Sequence, residues 1–243
     1  MTVYFVSDIH LKPERPDLTR AFSYFLTETA QDASELFLLG DIFEAWIGDD
    51  APIPGLDELF SQLKALSDKG CKVYFQHGNR DFLVGQTFVS GIGAELLPEE
   101  ILIDLPCGPA LIMHGDQLCT DDQEYMQFRA MVRDPQWQSA FKAKSLEERL
   151  AVARQLREAS KERGAEKSEY ITDVNTESVV KALNDNKCDL LIHGHTHRPA
   201  IHQITSAQGP STRVVLGDWD EKGWYLKVDS SGYELISFDI AEA

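Results

Sequence analysis

Two observations predict an α/β fold built on parallel strands. Along the first third of the chain, short apolar runs alternate with stretches of helical periodicity. Most of these runs also stop at a polar residue able to hold a metal ion. A strand–helix–strand rhythm needs crossover connections, which leave neighbouring strands parallel. Parallel strands bring their carboxyl ends to one edge, and ligands of open α/β sheets bind there.

The elements follow in order. Residues 3–7 are an apolar run that ends at Asp8, predicted as a buried strand. Leu18, Ala21, Phe22, Phe25 and Leu26 recur at helical spacing and predict a helix over 16–30. Residues 35–39 are a second strand, ending at Gly40-Asp41. Leu56, Leu59, Phe60, Leu63 and Leu66 form a helix stripe, stopped near Gly70. Residues 72–76 are a third strand, running into His77-Gly78-Asn79. Strands are expected at 101–105 and 110–114, joined by the turn Pro106-Cys107-Gly108-Pro109. From Asp121 to Asp185 the pattern is helical; residues 189–193 return to strand and end at Gly194. The tail, 213–238, holds three strand-like runs between polar and glycine turns.

The chain has 243 residues, enough for one large domain or one domain with an insertion. Apolar residues make up 43%, which excludes disordered and fibrous classes. Forty acidic against 23 basic residues leave a net charge of −17. That balance argues against a whole-protein grip on nucleic acid, because such binding runs on cations neutralising phosphates. No apolar run approaches the roughly 18 residues of a membrane-spanning helix. The start, Met1-Thr2-Val3-Tyr4-Phe5-Val6, lacks a basic secretory n-region, so a cytoplasmic protein is expected. Cys71, Cys107, Cys119 and Cys188 are scattered and read as free thiols.

The candidate chemistry lies in five segments: Ser7-Asp8-Ile9-His10, Gly40-Asp41-Ile42-Phe43-Glu44, Gly78-Asn79-Arg80-Asp81, Met113-His114-Gly115-Asp116 and Gly194-His195-Thr196-His197. In an extended chain the D-x-H and H-x-H pairs would each place two side chains on one side. Imidazole, carboxylate and amide oxygen together suit borderline divalent ions such as Mn²⁺, Fe²⁺ or Zn²⁺ rather than Ca²⁺. Seven ligands exceed what one catalytic ion takes from protein, so two ions sharing a carboxylate is the economical arrangement.

These segments resemble those of the calcineurin-like metallophosphoesterases, in the family's order over residues 5–198. The resemblance implies a four-layer α/β/β/α sandwich. It implies that Asp8, His10 and His197 hold one metal, Asn79, His114 and His195 the other, and that Asp41 bridges them. Two departures narrow the reading. The family's GDxxD ends here in Glu44, and the position often held by a catalytic histidine is Arg80. A guanidinium grips phosphate oxygens by a planar fork and is no ordinary proton donor.

Longer strings, among them residues 40–50, 77–83 and 193–199 and Leu216-Gly217-Asp218-Trp219, are similar to the branch of this family that acts in lipid A synthesis. The similarity implies hydrolysis of the diphosphate of UDP-2,3-diacylglucosamine to UMP and 2,3-diacylglucosamine 1-phosphate (lipid X). It implies two Mn²⁺ ions per subunit and water attacking the α-phosphorus. Asp41, Arg80 and His195 are implied as catalytic, and Asn79, Arg80, Asp122, Ser160, Lys167 and His195 as substrate contacts. A peripheral place on the cytoplasmic side of the bacterial inner membrane is implied as well. Where the family often has a hydrogen-bonding side chain, this chain has Gly164.

The core is expected over 1–120 and 171–243, with a helical cap for the lipid substrate at 121–170. Residues 142–167 carry eight basic residues against five glutamates, net +3. On one helix stripe Leu146, Leu150 and Ala153 lead to Arg157, Ser160, Gly164 and Lys167. An amphiphile with acyl chains and a phosphate would meet those surfaces in that order. A solvated helix face and a plain structural insertion stay open for this segment. So do a phosphodiesterase for a nucleotide or phospholipid head group, and a silent scaffold. His77 and His193 lie beside the motifs and are expected to pack or to orient ligands, and His202 is expected at the surface. Asp81 and Asp116 either orient ligand imidazoles or cap turns, and Trp46 either lines the acyl path or simply packs.

Overall fold

The computed structural model describes residues 1–51, 53–166 and 173–242, with 160–166 and 242 described by backbone alone. Two sheets stack face to face. The first is six-stranded, in the order β11 (Gly232–Asp239), β10 (Lys222–Asp229), β1 (Thr2–Val6), β2 (Ala33–Leu39), β3 (Lys72–Gln76) and β4 (Ala94–Leu96). The second is five-stranded, in the order β5 (Glu100–Leu105), β6 (Gly108–Met113), β7 (Leu190–His193), β9 (Gly209–Val215) and β8 (Ala200–Ser206). Strands β1 to β4 run parallel, as do β6, β7 and β9, while the outer pairings are antiparallel.

The apolar runs build this sandwich because strand side chains alternate between faces. Val3, Phe5, Phe37 and Leu39 point from the first sheet into the core between the sheets. Ala110, Ile112, Leu190 and Ile192 meet them from the second. Their neighbours Tyr4, Val6, Leu36 and Leu38 face outward into a core shared with α1 (Pro16–Tyr24), α2 (Asp57–Asp68) and α3 (Gln86–Gly91). Leu111, Met113 and Leu191 face outward from the second sheet against Val179 and Leu183 of α7 (Thr176–Asn186). A strand apolar on both faces is therefore buried on both, which is why these runs are continuous rather than alternating. The four layers follow, and the expected α/β/β/α sandwich is what the chain forms.

Between β6 and β7 the chain also forms α4 (Gln123–Arg133), α5 (Pro135–Lys142) and α6 (Leu146–Glu166). Asp122 caps α4 by accepting from the Tyr125 N–H at 3.0 Å. Asp134 caps α5, with Pro135 in its first turn. The helix expected over 16–30 forms in joined pieces: α1 stops at Tyr24, a wider π-helical turn runs over Phe25–Thr29, and a tight 3-10 turn over Ala30–Asp32 ends it. β4, β8 and α3 were not expected. The four cysteines are free thiols, Cys107 exposed and the others buried.

Candidate metal centre

The loops after β1, β2, β3, β6 and β7 converge. Backbone pairing continues past the ends of β1 and β2: the Asp8 N–H donates to Gly40 O at 3.1 Å and the His10 N–H to Asp41 O at 3.0 Å. The two loops are thereby locked side by side. The period-two argument for D-x-H and H-x-H brings the right side chains together for the wrong reason. Asp8, His10, Asp41, His195 and His197 all have φ between +52° and +70°, so neither pair is extended. The backbone turns at each ligand, and that turn swings each pair inward. Only one other non-glycine among the described residues, Lys187, has positive φ. Such conformations cost about 1–3 kcal/mol each and persist where surrounding contacts impose them, typically at functional sites.

Asp8 Oδ1 lies 3.4 Å from His197 Nε2, and the His197 and His10 Nε2 atoms face each other at 3.3 Å. Asp41 Oδ1 lies 3.7 Å from His114 Nε2. Asn79 Oδ1 lies 3.0 Å from His114 Nε2 and 2.9 Å from His195 Nδ1. Asp8, His10 and His197 form one group with ligand atoms mutually within 4.8 Å, and Asp8, Asp41 and His114 form a second. All seven expected ligands are thus in one place.

Their donor chemistry fits divalent cations. His114 donates Nδ1–H to Leu39 O at 2.8 Å, which turns its Nε2 toward the Asn79 oxygen. Burial works against charge on the ring, but Asp41, Asp8 and Asp116 raise it above the ordinary imidazole range. Asp8 Oδ1 is buried with no hydrogen-bond partner. An orphaned buried carboxylate oxygen is unfavourable unless a positive charge sits beside it. Burial pushes His10 and His195 each down to about 3, so both offer lone pairs. Burial would raise Asp8 too, but His197 and His114 hold its carboxyl below the usual range. Burial pushes Asp41 up, with Asp81 and Asp8 adding to the effect against His114.

The surrounding residues fix this geometry. Ser7 donates to Asp8 Oδ2 at 2.6 Å, and Asp218 sits 3.4 Å from His197 Nδ1. Asp81 accepts the N–H groups of Gly78 (2.8 Å), Ile42 (2.8 Å) and Asp41 (3.2 Å). Asp116 accepts from Tyr125 Oη at 2.9 Å and Arg129 Nε at 2.8 Å. Neither carboxylate hydrogen-bonds a ligand imidazole. Asp81 ties the β2 and β3 loops together, and Asp116 ties α4 to the β6 loop. His77 faces Val84 O at 2.7 Å and packs on Phe75, whereas His193 is fully buried. His202 is half-buried rather than at the surface proper. Ser7, Asp218 and Glu44 lay inside quoted motifs and could have been found as neighbours of the candidate ligands; the contact of Glu44 with Arg157, far off in sequence, could not.

A cavity of about 1330 Å³ opens on this cluster. Asn79, Arg80, His195 and His197 line it, together with Asp122, and so does a broad apolar wall from the inserted helices, including Phe128, Trp137, Leu146, Leu150 and Leu156. Trp46 packs on Phe43 and Phe88 and also lines the cavity. Arg149 of α6 holds the inserted helices to the core by donating to Ile47 O at 2.9 Å and Asp50 Oδ1 at 2.7 Å. The Ser160 side chain and all of Lys167, both expected at the substrate, lie outside the described residues. Gly164 is described only as backbone within α6.

A family profile of calcineurin-like phosphoesterases matches residues 1–199. A UDP-2,3-diacylglucosamine hydrolase of Stenotrophomonas maltophilia is 48% identical, covering 97% of this chain and 98% of that protein. Its namesake in Marinobacter nauticus is 47% identical over 95% of both chains. That of Tolumonas auensis is 44% identical over 100% of this chain and 99% of its own. With the ligand set in place and identity sustained from end to end, the chain belongs to the calcineurin-like phosphoesterases and, within them, to the UDP-2,3-diacylglucosamine hydrolase family.

Proposed function

We propose that this protein hydrolyses the diphosphate of UDP-2,3-diacylglucosamine, releasing UMP and 2,3-diacylglucosamine 1-phosphate, in lipid A synthesis. The observation that carries the reading is one cavity lined both by the ligand cluster and by an apolar wall. A small soluble diester has no use for such a wall; a diacylated sugar does. Asp8, His10 and His197 would hold one ion, Asn79, His114 and His195 a second, with Asp41 between them, and Mn²⁺ suits that donor set. Bound there, divalent ions supply Lewis acidity and make water a stronger nucleophile at neutral pH.

The remaining work falls to the chain. The Arg80 backbone N–H donates to Asp41 Oδ1 at 2.7 Å, which holds the loop carrying the guanidinium against the cluster. Arg80 Nε is buried without a hydrogen-bond partner, and the residue lines the cavity. A phosphate oxygen would satisfy that donor and share its growing charge with the guanidinium. His195 turns Nδ1 toward Asn79, so its other nitrogen is available to a phosphoryl oxygen. Residues 121–170 serve as the cap, with the apolar wall taking the acyl chains, and 1–120 with 171–243 as the core. Asp122, Ser160 and Lys167 complete the substrate contacts. The enzyme works peripherally at the cytoplasmic face of the inner membrane.

The test is UMP release from the diacylated substrate, with and without Mn²⁺, beside a phosphomonoester and a simple nucleotide diester. Mn²⁺-dependent UMP release with little turnover of the other two is expected. Faster cleavage of the nucleotide diester would overturn the assignment.

A further inference from the structure

Glu44 stands where the broad family pattern has aspartate, and three side chains meet it. Its Oε1 accepts an ion pair from Arg157 of α6. Its Oε2 lies 3.7 Å from Lys12 Nζ and 3.6 Å from His10 Nδ1. That His10 nitrogen is buried and has no hydrogen-bond partner. The Glu44 side chain is only 17% exposed, so the contacts are partly shielded from water. Its backbone is fixed as well: the Glu44 N–H donates to Leu11 O at 3.1 Å. Arg157 and Arg80 line the same cavity, and the charge of Arg80, after burial, is what disfavours charge on Arg157. Glu44 offsets that repulsion by pairing directly with Arg157, and the Asp41 charge adds to it. Aspartate, one methylene shorter, would bring its carboxylate less far toward α6 from the same backbone position.

We infer that Glu44 is a positioning residue with two tasks: it anchors Arg157 at the phosphate-binding part of the cavity, and it turns His10 so that Nε2 faces the metal. The second task follows from imidazole chemistry. A histidine that ligates through one nitrogen carries its proton on the other, and a carboxylate beside that proton fixes the ring and raises the ligand's basicity. The first task rests on the hydrolase reading above; the second does not. Glu44 thereby couples the inserted helices to the metal centre through a single side chain.

Glu44→Gln and Glu44→Ala separate the tasks. Glutamine keeps an oxygen for the His10 proton but loses the charge that holds Arg157. It should bind Mn²⁺ within about threefold of wild type while KM rises roughly tenfold, the size of one charge-assisted hydrogen bond. Alanine loses both functions, and Mn²⁺ affinity, measured by titration without substrate, should fall by about ten- to a hundredfold. Unchanged Mn²⁺ affinity in Glu44→Ala would overturn the His10 task. A double-mutant cycle decides the other one and does not depend on how well the alanine variant folds. In an Arg157→Gln background, Glu44→Gln should leave KM where it is; a full further loss would overturn the anchoring. The metal titration stands whatever the substrate, so failure of wild-type UMP release would strike the hydrolase assignment alone.

Discussion

Gly78→Ala tests how tightly the centre is built. Gly78 follows β3, and its N–H donates to Asp81 Oδ1 at 2.8 Å. A β-carbon there would stand 2.2 Å from Asp41 Oδ1 and 2.3 Å from the Asp41 backbone nitrogen. Neither neighbour can retreat cheaply. The nitrogen is backbone, held by Asp81, and the carboxylate is buried against His114. Gly40 presses from the other side: a β-carbon on it would come within 2.4 Å of the Gly78 nitrogen. One methyl group must therefore part the β2 and β3 loops. Overpacking of this kind costs about 1–3 kcal/mol, and rigid neighbours argue for the upper end. At roughly 2–4 °C per kcal/mol for a domain of this size, the midpoint should fall by about 6–12 °C. Asp41 would move with the loop, so Mn²⁺ binding and turnover should fall together. The control is Gly91→Ala, at the end of α3, where an added β-carbon meets nothing within 4 Å. That variant should match wild type or gain about 0.4–1 kcal/mol. Calorimetry of both variants and UMP release decide the matter. A Gly78→Ala protein that melts with wild type and turns over normally would refute the steric reasoning.

Asp41→Ala should abolish turnover and weaken Mn²⁺ binding at both positions; near-normal activity with two ions bound would exclude a bridging role. Chelation of the purified protein should stop UMP release and lower its melting temperature, because a ligand that binds the folded state stabilises it and the buried Asp8 Oδ1 otherwise lacks a partner, and Mn²⁺ should restore both. High salt or mild detergent should release the protein from membranes, since no helix among the described residues is long and apolar enough to cross one. Fractionation that leaves it membrane-bound under both treatments would reveal an anchor. Lys167→Ala should lose roughly ten- to a hundredfold in kcat/KM on the acylated substrate, keep its metals, and keep its rate on a small artificial diester. Equal loss on both substrates would place Lys167 in the chemistry or the fold.

The candidate ligand segments could be found without a structure because each follows an apolar run. An apolar run long enough for one strand, followed by Asp, Asn or His, marks the carboxyl end of a buried strand, and parallel strands share that edge. Asp8, Asp41, Asn79, His114 and His195 were visible for that reason, and the alternation of Val3 and Phe5 with Tyr4 and Val6 already contains both inner layers. β4 and α3 escaped notice because three and six residues are too few to show a period. β8 escaped because its seven residues are mostly half-buried or exposed, so its apolar pattern is faint.

What the sequence alone determined is therefore the parallel-strand rhythm and the segments that carry the candidate ligands, since local patterns follow from which faces must be buried; the four layers and the ligand set came from the resemblance to the family. Only the tertiary structure decided how the ligands turn inward, because the positive φ values at Asp8, His10, Asp41, His195 and His197 are imposed by loops that cross-bond. It also decided what the neighbouring carboxylates do. Asp81 binds backbone N–H groups rather than an imidazole, because the β2 and β3 loops bring those groups to it. Glu44 and Arg157 are 113 positions apart and meet only because α6 packs over the β2 loop. No local period encodes that contact; it exists only once the layers and the inserted helices have packed.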